Sequence, residues 1–164
     1  MRTVFFTRLA ALFGLLVSLS ATTAPGTFTF SVNGTPVASK VSPASTFTMM
    51  NVITLTAETP KVDLMLEIYR KDFPKLPLTI PIDGTSTNAK GFYYPEKMLP
   101  GTKPYFIAKS GTLTITRYDA ATRTISGTFS FKGERFDPMK LKSFPGDNVS
   151  VTNGVFESVT FKKL

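Results

Sequence analysis

The clearest pattern in the chain is strict alternation. Over residues 111–118, Leu113 and Ile115 share one face of an extended strand, while Thr112, Thr114 and Thr116 share the other. Residues 123–132 repeat the pattern, with Ile125, Phe129 and Phe131 opposed to Thr124, Ser126, Thr128 and Ser130. The connector at 119–122 begins with Asp119, whose carboxylate suits the first position of a turn because it accepts a nearby backbone N–H. Together these residues predict a long antiparallel hairpin with one packed face and one hydrated face.

Shorter signals fill the rest of the chain. Residues 27–32 alternate and run into Asn33 and Gly34, the strongest short hairpin signal, so a return strand is expected around 36–39. Residues 50–57 and 62–69 flank a turn at 58–61; in the second run Val62, Leu64, Leu66 and Ile68 oppose Asp63 and Glu67, a half-buried strand. Residues 76–82 place Leu76, Leu78, Ile80 and Ile82 on one face. Pro77 and Pro81 leave their missing N–H groups on one side of that strand, which a sheet tolerates only at an edge. Residues 83–110 and 133–146 break the alternation with Gly and Pro and read as two long connectors, the first containing residues 92–94 and 105–107 as short strands or packed loop. Near the end, Asn153 and Gly154 predict a second tight turn between strands at 148–152 and 155–162. That turn carries a register conflict, because Phe156 and Val159 would point to opposite faces. Either a β-bulge near Glu157 restores one apolar face or the strand is buried on both sides. The expected fold is therefore all-β: a single antiparallel β-sandwich or open barrel of about 8–10 strands joined by hairpins.

The first residues follow a different logic. Arg2 and Arg8 precede an apolar stretch from Leu9 to Leu19, and the small residues Ser20 and Ala21 follow it. This is the layout of a secretory signal peptide, expected to span residues 1–20 and leave residues 21–164 as one mature domain. The stretch is shorter than the roughly 20 residues a membrane-spanning helix needs, so no transmembrane segment is expected in the mature protein. No cysteine follows it, so no lipid anchor is expected either. The expected location is the periplasm or the extracellular space.

Composition narrows the chemistry sharply. The chain has no Cys, no His and no Trp, which removes disulfides, thiolate chemistry, imidazole bases and the commonest transition-metal ligands. Formal charge is +8; the two arginines of the signal segment account for two of that, leaving an excess of +6 on the remainder. In an exported protein such an excess favours acidic glycans or lipid headgroups over nucleic acid.

Four stretches also carry a resemblance. Phe30 to Gly34, the run from Gly111 to Thr116 followed by Tyr118 and Asp119, Ile125 to Phe131, and Val151 to Phe156 resemble a family of exported Bacteroidetes proteins. That family is a domain of unknown function, and many of its members are lipoproteins. The resemblance implies an all-β fold in a cell-envelope setting, and it brings no activity, cofactor or catalytic residue with it.

Two clusters remain as binding candidates. Tyr93, Tyr94 and Tyr105, near Phe92, lie in the first irregular region; such rings either stack on a ligand or pack the end of the sheet. Arg135, Lys140 and Lys142, interleaved with Phe136 and Phe144, lie in the second and form either an anion-binding patch or a solvated loop. Asp63 and Glu67 share a strand face but stand roughly 13 Å apart at strand spacing, wider than a glycosidase pair, and read as a solvated face. No catalytic residue, metal ligand or cofactor is identified. The leading expectation is a non-enzymatic binding or structural module engaging a glycan, lipid or envelope protein. The alternatives are a lipocalin-like carrier of an apolar small molecule and a carboxylate-dependent glycan hydrolase.

Overall fold

The computed structural model describes residues 26–40, 48–49, 52–69, 73–84, 88–96 and 103–161, and the expected signal segment lies outside them. Among the described residues the regular elements are all strands. In chain order they are β1 (Thr27–Val32), β2 (Thr35–Lys40), β3 (Thr48–Met49), β4 (Val52–Glu58), β5 (Asp63–Ile68), β6 (Leu78–Pro81), β7 (Ala89–Tyr94), β8 (Tyr105–Asp119), β9 (Thr124–Asp137) and β10 (Lys142–Thr160). They form one antiparallel sheet in the order β2-β1-β10-β9-β8-β7-β5-β4-β3, with β6 paired beside β8. The sheet curls into a half-barrel, the open form of the expected architecture. The curl brings its far strands back toward each other. Ser39 on β2, only 6% exposed, donates its hydroxyl to the Glu58 carbonyl on β4 at 2.7 Å.

The expected turns are built as their residues require. Asn33 and Gly34 both take positive φ, at 49° and 83°, as a two-residue hairpin demands. Asn33 also clamps β10, donating its N–H to the Ser150 carbonyl and accepting the Ser150 N–H on its Oδ1. Asp119 Oδ1 accepts the N–H groups of Ala121 and Thr122 at 2.8 and 3.0 Å, and those bonds, led by Thr122, hold its carboxyl below the usual range. The proline-flanked strand β6 pairs with β8 from Leu78 opposite Ile115 to Pro81 opposite Thr112.

The last strand departs from expectation. Asn153 and Gly154 make no hairpin; β10 runs straight through them as one long strand. Its inward residues are Val149, Val151, Phe156 and Val159, followed just beyond its end by Phe161, all buried. Steps of five and three residues cannot keep one face in a ladder of period two. Each odd step is absorbed by a bulge that inserts one residue. The first falls between Val151 and Gly154 and the second between Phe156 and Val159. Asn153 and Ser158 sit in those bulges with φ of 53° and 50°. The second is the bulge anticipated near Glu157, and Ser126 Oγ stitches it by accepting the Ser158 N–H at 2.9 Å. Asn and Gly were favourable for left-handed backbone, and a bulge uses that property as well as a turn does.

The enclosed side of the sheet is filled by rings. Phe28 lies 5.7 Å from Phe156 and 5.5 Å from Phe129, centroid to centroid. Two of these rings rest on glycines of the neighbouring strand in a reciprocal arrangement. Phe129 is paired with Gly154, and Phe156 with Gly127. A Cβ on Gly154 would stand 2.5 Å from the Phe129 ring, and one on Gly127 would stand 2.6 Å from the Phe156 ring. Rings therefore cover the glycines, and the missing Cβ atoms admit the rings. Gly154→Ala is expected to lower stability by about 1–3 kcal/mol through overpacking, measured as a shift in the urea midpoint. In a double-mutant cycle with Phe129→Leu the two losses should sum to less than additivity, since the smaller side chain makes room. Full additivity would show that the ring does not set the cost.

Candidate functional site

Four strand ends deliver the residues singled out from the sequence to one end of the sheet. β7 finishes at Tyr94, β8 begins at Tyr105, β9 finishes at Asp137 and β10 begins at Lys142. The ladder sets Tyr93 opposite Phe106, Tyr105 opposite Phe136, Phe106 opposite Arg135, and Lys142 opposite Asp137. Because successive side chains alternate across a sheet, this row divides between two faces. Tyr94, Tyr105 and Phe136 stand on the outer face; Tyr93, Phe106, Arg135 and Phe144 stand on the inner one. The tyrosines and the cations therefore share an end of the molecule without forming one surface.

Both regions read as connectors are more regular than expected. Residues 89–94 are strand β7, and β8 already begins at Tyr105. Residues 133–146 contain the last part of β9, a turn at 138–141 and the start of β10. Alternation is invisible there because polar side chains occupy both faces on one strand and rings occupy both faces on the other. Asp137 Oδ1 builds the turn by accepting the N–H groups of Met139 and Lys140 at 3.0 and 3.2 Å.

On the outer face the rings form a rung across three strands. Tyr94 lies 5.1 Å from Tyr105, and Tyr105 lies 5.6 Å from Phe136, with Phe92 at 6.2 Å. All four are half-buried. Burial, followed by the neighbouring Tyr105, Glu67 and Asp63, pushes the Tyr94 phenol up to about 12, and burial raises that of Tyr105. At neutral pH these hydroxyls are protonated and can both donate and accept. Their charged neighbours on this face are of both signs: Glu67 accepts a hydrogen bond from Tyr69, and Lys90, opposite Glu67, stands 5.0 Å from the Tyr69 ring.

Asp63 corrects the sequence expectation of a solvated face. It is 3% exposed, because β5 is an interior strand and its second face meets the large side chains of β7, with Tyr94 directly opposite Asp63. Tyr93 is likewise a core residue, 7% exposed and 6.0 Å from the Phe106 ring.

The cations sit on the other face and on the turn. Arg135 Nη1 donates to Asp147 Oδ2 at 3.1 Å, and its guanidinium stands 5.8 Å from the Phe144 ring. Lys142 Nζ approaches the same ring at 5.4 Å. Lys140 pairs with Asp137 at 3.7 Å. Arg135 also lines a shallow pocket of about 350 Å³ with Pro95, Glu96, Lys103, Pro104 and Phe106. Within it, the ion pair with Lys103 holds the Glu96 carboxyl below its usual range. Among the described residues, no three acidic side chains gather as a metal site would need.

An all-β half-barrel with an aromatic rung and an ion-paired hairpin at one end is thus the class the structure defines. The chain belongs to the family described as domain of unknown function DUF6252, whose model matches residues 41–160. Strands β1 and β2 precede the matched segment, yet they complete the sheet and supply Phe28 and Phe30 to the core. No curated protein and no solved structure matches the chain.

The phenols give a test of this geometry in alkali. Tyr69, Tyr93, Tyr94 and Tyr105 are all raised above 10.0, chiefly by burial. A raised folded-state value favours the protonated phenol in the native state, so its stabilisation is complete below pH 10 and is lost as pH climbs. The urea midpoint should therefore hold up to about pH 10 and fall toward the Tyr94 value of about 12. Tyr94→Phe should flatten that fall, and an unchanged profile would detach Tyr94 from it.

Proposed function

We propose that the protein is an exported, non-catalytic binding or structural module of the cell envelope, engaging a glycan, lipid or protein partner at the end of the half-barrel where β7 to β10 converge. One observation carries this reading. Rings of Tyr94, Tyr105 and Phe136, contributed by three different strands, form a continuous half-exposed rung. Strand-borne rings lose little freedom on binding, which favours recognition over chemistry.

The placement of the acids agrees. Glu96, Glu134, Asp137 and Asp147 are engaged by Lys103, Lys109, Lys140 and Arg135, Asp119 by its own turn, and Glu67 by Tyr69. Carboxylates so paired serve structure. A surface site is also favoured over an interior carrier site, since the described interior holds the packed rings of Phe28, Phe129 and Phe156. No helix among the described residues is long and apolar enough to cross a membrane. The signal-like first residues support export.

Native mass spectrometry of the protein purified from its own envelope tests the proposal. A ligand mass retained on the wild-type monomer should disappear in Tyr94→Ala combined with Tyr105→Ala, with the far-UV spectrum preserved. A ligand held equally by the variant would remove the rung as the site. A wild-type monomer that is always bare would remove the binding role itself.

A further inference from the structure

The β9–β10 turn carries a feature that the rung does not explain. Met139 and Leu141 are 72% and 82% exposed, and they are the large hydrophobic side chains left exposed among the described residues. They stand two residues apart on one tight turn, just beyond the row where β8 begins. Lys140 separates them and Lys142 follows.

Leu141 is also an expensive choice for its backbone. Its φ is 48°, in the left-handed region that disfavours side chains and that Gly or Asn fills at least cost. The other left-handed positions of the described chain obey that rule or carry a polar residue: Asn33, Gly34, Arg123, Gly146, Asn153 and Ser158. Only here does a large apolar side chain occupy such a position, and there it projects into solvent. Meanwhile Asp137, 8% exposed, fixes the turn through its two backbone hydrogen bonds, so the two side chains are presented on a rigid support.

We propose that this hairpin tip docks the protein on an anionic lipid bilayer, with Met139 and Leu141 entering the boundary between headgroups and acyl chains and Lys140 and Lys142 meeting lipid phosphates. Apolar side chains ringed by long cationic ones are the combination that interfacial insertion requires. The sign of the charge selects the surface. Without the signal arginines the chain carries a net +6, and the tip itself adds two lysines, Lys140 paired with Asp137 and Lys142 standing over the Phe144 ring. A neutral apolar partner would gain nothing from the lysines, and a nonspecific anion would gain nothing from Met139 and Leu141. The site lies on the turn, apart from the tyrosine rung, and stands whether or not the rung binds a ligand.

Sedimentation of the purified protein with large vesicles tests the proposal directly. Binding is expected to vesicles of equimolar phosphatidylglycerol and phosphatidylcholine, to weaken as salt is raised, and to be much lower on pure phosphatidylcholine. Leu141→Gly should cut partition about tenfold while leaving the thermal midpoint equal or higher, because Gly adopts this backbone freely. Lys140→Gln and Lys142→Gln should each cost about fivefold. Tyr94→Ala should leave vesicle binding intact, which keeps this outcome separate from that of the rung. The proposal is overturned if the wild type stays in the supernatant with anionic vesicles, or if Leu141→Gly binds them as well as the wild type. It is equally overturned if that substitution instead dissolves a concentration-dependent dimer, which would make the tip a contact between copies of the chain.

Discussion

A strand that lines a curved, filled interior must keep its apolar residues on the inside while its neighbours bend around it, and β10 is where this constraint is met. It pairs with β9 along one side and β1 along the other, so any slip in its facing would turn both ladders at once. Its inward residues are not evenly spaced, and the two left-handed residues Asn153 and Ser158 absorb the mismatch. Bulges also add local twist. The same two residues thus reconcile the facing of Val151, Phe156 and Val159 and help the sheet to coil. That coiling is what brings β2 within hydrogen-bond reach of β4.

The outer face of the sheet changes character from one end to the other. Between β8 and β9 it begins as rows of hydroxyls, with Thr112 opposite Ser130 and Thr114 opposite Thr128. Toward the start of β8 it becomes aromatic, with Tyr105 opposite Phe136. The glycine-backed rings of the interior leave the hydroxyl end to water, whereas the aromatic end is half-covered by its own neighbours on β5 and β7. Arg135, Lys140 and Lys142 gather at that same end but on the inner face and the turn, while Lys90 stays on the outer face opposite Glu67. Phenols kept protonated by burial and cations kept at the rim make two separate chemistries at one pole of the molecule.

Much of this was legible in the sequence, and the parts that were not have physical causes. The long hairpin, the left-handed Asn33 and Gly34, the edge position of β6 and the bulge near Glu157 all follow from period two and from residues whose backbone preferences are strong. Asn153 and Gly154 misled because left-handed backbone serves a bulge as readily as a turn, and only the partner strands decide between them. Residues 89–94 and 133–146 concealed strands because both of their faces carry rings or both carry polar groups, which removes the alternation on which the inference rests. Asp63 could not be placed for a different reason: its strand alternates cleanly, but its burial depends on Tyr94, distant in sequence. The six candidate residues were found by type, and their meeting at one end was set by topology. Met139 and Leu141 were passed over because exposure has no sequence signature; a leucine beside a turn is ordinary until its φ is known.

The crossed pairs of ring and glycine, Phe129 on Gly154 and Phe156 on Gly127, have a consequence for how such a chain can change over generations. Each pair joins residues from two strands that a single substitution cannot alter together. A glycine that gains a side chain collides with a ring, and a ring that shrinks leaves bare backbone and a void. For Phe129 and Gly154 the open path runs through paired replacement; Gly127 is held by backbone as well, since a Cβ there would also stand 2.3 Å from the Thr114 carbonyl oxygen. Relatives that keep one member of a pair should keep the other, even where the rest of the interior has drifted.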